Sequence, residues 1–137
     1  MRLTSLFASS CLFLGLSGCF VSTTNDPVDT TPLPGEGTLV VDWTINGSTD
    51  PNQCNQASAT TLEITVVPDV GASSTFSQDC ELFGASIVLE PGSYSASALL
   101  IDADGNARTT TVPISPFTLR GNDELHTPID FPASSFY

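Results

Sequence analysis

The segment Leu89-Glu90-Pro91-Gly92-Ser93-Tyr94-Ser95-Ala96-Ser97-Ala98-Leu99-Leu100-Ile101 changes character at its Pro-Gly pair. After it, Tyr94, Ala96, Ala98 and Leu100 alternate with Ser93, Ser95 and Ser97. A strand sends successive side chains to opposite faces, so this spacing builds one apolar face and one hydroxyl face. Before the pair, the short apolar run 86–89 reads as another strand, with Pro91-Gly92 as the turn. The same period of two recurs on both sides. Residues 38–45 put Leu39, Val41, Trp43 and Ile45 on one face, and 60–67 do so with Leu62, Ile64 and Val66. Residues 108–114 are Thr-rich and carry Pro113, which marks an edge or a strand end. Residues 117–119 continue that strand after Pro116. Leu125, Ile129 and Phe131 form a last alternating strand, kept to an edge by Pro128. No ten-residue segment carries a 3.6-residue period. Short strands with turn signals every ~8–12 residues indicate an all-β fold, an antiparallel β-sandwich of about seven strands.

The turn and strand Leu89-Glu90-Pro91-Gly92-Ser93-Tyr94 resembles the L-x-P-G-x-Y element of transthyretin-like domains, including carboxypeptidase-regulatory-like modules. That resemblance implies an Ig-like or transthyretin-like sandwich in which the Tyr packs toward the core. It implies no activity, because sandwiches host many functions.

The N-terminus is a short basic start, Met1-Arg2, and then an apolar stretch of about 14 residues, the length of a signal peptide rather than of a bilayer-spanning helix. Leu16-Ser17-Gly18-Cys19 follows and resembles the lipobox of bacterial lipoproteins. The resemblance implies cleavage of 1–18 and lipidation of Cys19. In diderm members it also implies transfer to the outer membrane, because Phe20 stands where Asp would favour inner-membrane retention. Each buried methylene contributes about 0.8 kcal/mol, so two or three acyl chains anchor stably.

Of the four cysteines, Cys11 leaves with the signal and Cys19 takes the lipid. Cys54 and Cys80 remain, an even number in an oxidising compartment, and are expected to pair. A redox or metal role is the alternative, but there is no C-x-x-C spacing and no clustering with His126.

Between residues 19 and 37, Thr, Pro, Asp and Gly dominate with no apolar period, which is the composition of a flexible tether. Extended at about 3.1 Å per residue, it reaches roughly 50 Å from the lipid. The expected layout is therefore a signal peptide (1–18), a tether (19–37), a sandwich (38–132) and a C-terminal tail (133–137). The charge is lopsided: 15 Asp+Glu against 3 Lys+Arg, and a formal net charge of −12. Such a chain is repelled by phosphate backbones, which excludes nucleic acid as a partner. Processing removes Arg2 and no acid, so the mature domain is more acidic still.

Asp102-Ala103-Asp104-Gly105-Asn106 is the one segment resembling a cation loop, with oxygen ligands at alternate positions around a Gly. Asp102, Asp104 and Asn106 are its candidate calcium ligands, with Asp50 or Asn52 as possible additions from another loop. The later acid of an EF-hand is missing, and Asp-Gly-Asn between strands is a strong hairpin signal, so the segment reads first as a turn. His126 is the only imidazole, and no G-x-S-x-G elbow accompanies it, so a hydrolase would have to assemble around that residue alone. Trp43 shares its face with Leu39, Val41 and Ile45, which reads as core rather than as a sugar platform. The aromatic pair Phe136-Tyr137 resembles the end of an outer-membrane barrel strand, yet these strands are too short and too rich in Ser and Thr for a lipid-facing band. The expectation is an envelope lipoprotein without catalytic activity or a required cofactor, an interaction or structural module held to the membrane by its lipid and partnered by an envelope protein or glycan. A calcium- or glycan-binding module is the alternative.

Overall fold

A computed structural model describes residues 35–137. The expected signal peptide, the expected lipidation residue Cys19 and the part of the expected tether before Gly35 lie outside the described residues. Among the described residues seven strands form two sheets. β1 (Gly37–Ile45) lies between β4 (Gly84–Leu89) and β7 (Glu124–Phe131) in the first. The second runs β3 (Ser74–Asp79), β2 (Thr61–Pro68), β5 (Gly92–Ile101), β6 (Val112–Leu119). One short helix, α1 (Asn52–Gln56), follows β1. Among the described residues no helix is long and apolar enough to cross a membrane.

The alternation sets which residues meet. In β1, Leu39, Val41, Trp43 and Ile45 are all buried and lie beside Ile87 of β4 and Leu125, Ile129 and Phe131 of β7. In the second sheet Leu62, Ile64 and Val66 stand opposite Leu100, Ala98 and Ala96. They join the inward residues of the first sheet in one hydrophobic core, where the small alanines suit close approach of the facing layer. Tyr94 is buried and stacks on Phe117 with ring centroids 5.5 Å apart. Its hydroxyl donates to the Glu90 carbonyl at 2.7 Å, pinning the Pro91-Gly92 turn to the strand that follows. Burial, and secondarily the Glu90 charge, raises the phenol's pKa.

The structure departs from the sequence reading in four places. β1 and β7 pair in parallel, while the other four pairings are antiparallel. β3, Ser-Thr-Phe-Ser-Gln-Asp, carries too few apolar residues to show a period, yet it pairs with β2 and sets Phe76 opposite Ile64. β6 starts at Val112 rather than residue 108, and continues through Pro116 by a bulge in which Ser115 and Pro116 face Ser95 alone. Residues 133–137 fold back as a 3-10 turn (Ala133–Ser135) against 108–110, through Thr110 N–H to Ser135 O at 2.7 Å and Tyr137 N–H to Arg108 O at 3.2 Å.

Cys54 of α1 and Cys80, just after β3, are bonded, with Cα atoms 6.0 Å apart. Both are buried, and the Trp43 indole N–H donates to the Cys80 carbonyl at 3.1 Å. The crosslink thus ties α1 and the β3–β4 connection to the centre of the first sheet.

Candidate functional site

Asp102–Asn106 closes as a turn. Ile101 bridges Ala107, the Asp102 N–H donates to Asn106 O at 3.0 Å, and Gly105 takes a φ of +83°. Asp102 Oδ1 accepts the backbone N–H groups of Asp104 at 2.9 Å and Asn106 at 2.8 Å. The Asn106 amide also donates to both carboxylate oxygens at 3.2 Å. These donors, led by the Asn106 backbone, hold the Asp102 carboxyl below its usual range, with the Arg108 charge a smaller cause. Asp50 is occupied elsewhere, accepting the Asn52 N–H at the start of α1 at 2.9 Å. Among the described residues no three His, Cys, Asp or Glu side chains are grouped as a metal would need.

His126 stands on the solvent face of β7. Its Nε2 meets Glu124 Oε1 at 2.8 Å and its Nδ1 lies 3.7 Å from Asp42 Oδ2. The Glu124 hydrogen bond raises the imidazole pKa; desolvation opposes it, and Asp42 adds a smaller upward push. Its hydrogen-bond partners include no Ser, Thr or Cys nucleophile. Trp43 is 1% exposed, as its position on the β1 face requires.

The feature that sequence reasoning missed lies at the α1 end of the sandwich. A cavity of about 270 Å³ opens between α1, the end of β1 and residues 133–137. Asn46, Gln53, Gln56, Arg108, Phe136 and Tyr137 line it. Arg108 is half-buried, and its Nε donates to the Ala57 carbonyl at 3.2 Å. Its main chain is held on both sides, through N–H to Leu100 O at 2.8 Å and O from Tyr137 N–H at 3.2 Å. Among the described residues no carboxylate forms an ion pair with it. Gln53 and Gln56 are three residues apart and so share one face of α1, while the crosslinked Cys54 is buried. The amides of Asn46, Gln53 and Gln56 make no hydrogen bond within the described protein, and the Tyr137 ring is 77% exposed. One signal did exist: Arg108 is one of only three cationic side chains in the sequence.

No family model and no curated protein matches the chain. Among solved structures, a leucine-rich repeat protein from Bacteroides thetaiotaomicron is similar over 72% of this chain and 12% of its own, at 14% identity and a TM-score of 0.48. The chain therefore corresponds to a small part of that protein, and the likeness assigns no function.

Proposed function

We propose that this chain is an envelope lipoprotein, anchored in the outer membrane through Cys19, whose β-sandwich is a non-catalytic interaction module. The N-terminal support is the lipobox resemblance followed by a Thr/Pro/Asp-rich tether. The observation that carries the non-catalytic part is the placement of the single imidazole. His126 is spent on two carboxylates on an open sheet face, with no nucleophile among its partners. General-base catalysis needs such a base within hydrogen-bond reach of the group it deprotonates. Metabolic labelling with an alkyne fatty acid tests the anchor. The native chain takes label and fractionates with the outer membrane, and Cys19→Ser abolishes both. Label retained on Cys19→Ser refutes the anchor.

A second reading, a glycan-binding module, is favoured by the cavity at the α1 end. Its amide side chains make no hydrogen bond among the described residues and line one space with an exposed aromatic residue. A glycan array probed with the detergent-solubilised chain tests it, with and without chelator to separate a calcium requirement. Binding to no glycan under either condition refutes this second reading.

A further inference from the structure

We propose that the cavity at the α1 end binds a carboxylate-bearing sugar, a uronic-acid residue of an acidic polysaccharide, with Arg108 receiving the carboxylate. This rests on the glycan-binding reading and names its ligand class.

The cation decides the chemistry. In a chain with 15 acids and 3 cationic side chains, Arg108 reaches the cavity wall with no ion pair among the described residues; Asp102 feels its charge, but the oxygens of that carboxylate are held by the turn's own donors. Its Nε–Ala57 bond fixes the plane of the guanidinium, and among the described residues the two Nη groups make no hydrogen bond. A guanidinium held this way presents two parallel N–H donors, the fork that a carboxylate accepts. One guanidinium balances one carboxylate. A phosphate brings nearly two charges into a strongly acidic domain and is disfavoured there.

The rest of the wall suits a sugar ring. Asn46, Gln53 and Gln56 each offer both donors and an acceptor, and a sugar hydroxyl is likewise both. The exposed Tyr137 ring supplies a flat apolar face beside them. At about 270 Å³ the space lies just below the roughly 300–1,000 Å³ of enclosed small-molecule pockets, so it takes a ring or two of a longer chain rather than engulfing a free ligand. The walls are also fixed in advance. The Cys54–Cys80 bond holds α1, and backbone hydrogen bonds hold Arg108 and Tyr137. Such preorganisation lowers the ordering cost of binding.

The test is an NMR titration of the full detergent-solubilised chain, isotope-labelled, with a linear trimer of galacturonic acid. Parallel arms use the neutral galactose trimer, N-acetyl-dialanine as a non-sugar carboxylate, and inorganic phosphate. The acidic trimer is expected to shift Arg108, Gln53, Gln56 and Tyr137 resonances and to bind at least tenfold more tightly than any other arm. Arg108→Gln should lose at least tenfold. Tyr137→Ala, which removes an exposed ring, should lose severalfold with an unchanged spectrum elsewhere. Equal affinity for the neutral trimer at these residues, undiminished in Arg108→Gln, overturns the uronate assignment and leaves the glycan-binding reading standing. Equal affinity for N-acetyl-dialanine or phosphate overturns the sugar assignment. No shift at these residues in any arm overturns the site itself.

Discussion

Thr109 is fully buried, and its hydroxyl accepts the Leu100 N–H at 3.1 Å. Leu100 is also fully buried, and its carbonyl takes the Arg108 N–H on the same side. Both main-chain groups of Leu100 therefore point away from β2, and in a regular ladder its N–H would meet a backbone carbonyl. Here a side chain stands in, so Thr109→Val keeps the shape and removes the acceptor. A buried donor left unmet costs about 1–3 kcal/mol. Thr109→Ser keeps the acceptor and loses one methyl, at a cost of about 0.8 kcal/mol plus a small cavity term. Valine should thus be the more damaging substitution although it is the more hydrophobic one. Urea unfolding followed by fluorescence of Trp43, the single tryptophan and a core residue, provides the assay. With an m-value of roughly 1–2 kcal/mol/M, a 2 kcal/mol loss lowers the midpoint by about 1–2 M. A Thr109→Val midpoint at or above the native one, or below which Thr109→Ser also falls, would refute the substitution of hydroxyl for carbonyl.

Reducing Cys54–Cys80, which lie 26 residues apart, should cost about 3.5 kcal/mol in the chain-entropy treatment; coincident urea curves with and without reductant would count against it. Gly37→Ala places a Cβ 2.6 Å from Leu119 Cγ and 2.7 Å from the Arg120 carbonyl, so a loss of about 1–3 kcal/mol is expected. Gly84→Ala, whose Cβ would come no nearer than 3.4 Å to Asp42 Oδ1, is the matched control and should unfold close to the native midpoint. The His126 imidazole should titrate by NMR above its ordinary pKa and move back toward it in Glu124→Gln. Because the folded-state pKa is the higher one, the stabilisation is complete below the unfolded-state pKa and disappears as pH rises through the folded one; an unshifted His126 midpoint would contradict the pairing.

How much was legible in the sequence follows from which side chains carry each element. β1, β2 and β5 each place three or four apolar residues at alternate positions, two of them alanines in β5, and these are the strands whose limits lie within a residue of those read from the sequence. β3 lies at a sheet edge and buries little beyond part of Phe76, so its pairing rests on backbone hydrogen bonds that leave no mark on residue choice. The Thr109-Thr110-Thr111 run has the β-branched composition of a strand but sits where pairing is interrupted. Four residues, 108–111, face Leu99 and Leu100 between the Ile101–Ala107 bridge and the Ala98–Val112 pair. Composition reports a preference for extended backbone and cannot report register. The parallel β1–β7 pairing is hidden for the same reason, since residue alternation is identical in either direction. Cys54 and Cys80 were legible as a pair because they are the two that remain if Cys11 leaves with a signal peptide and Cys19 takes a lipid, as the sequence leads one to expect. Asn46, Gln53 and Gln56 belong to a turn and a five-residue helix with no periodic signal, so the cavity emerges only from tertiary placement.

The interrupted ladder and the cavity have one origin. Where 108–111 pull away from β5, main-chain groups that β5 would have paired need other partners, and buried backbone groups are rarely left without them. Thr109 supplies one through its hydroxyl. The segment after β7 supplies others, with Ser135 accepting from Thr110 and Tyr137 donating to Arg108. That repair brings Phe136 and Tyr137 alongside Arg108, whose side chain in turn reaches across to Ala57 beyond α1. The hydrogen bonds that close the end of the sandwich therefore also set the cavity wall. Removing residues 133–137 should weaken the fold and dismantle the site together, whereas Tyr137→Ala keeps the backbone repair and removes only the ring. That separation makes the exposed ring the place to test binding, and buried Thr109 the place to test stability.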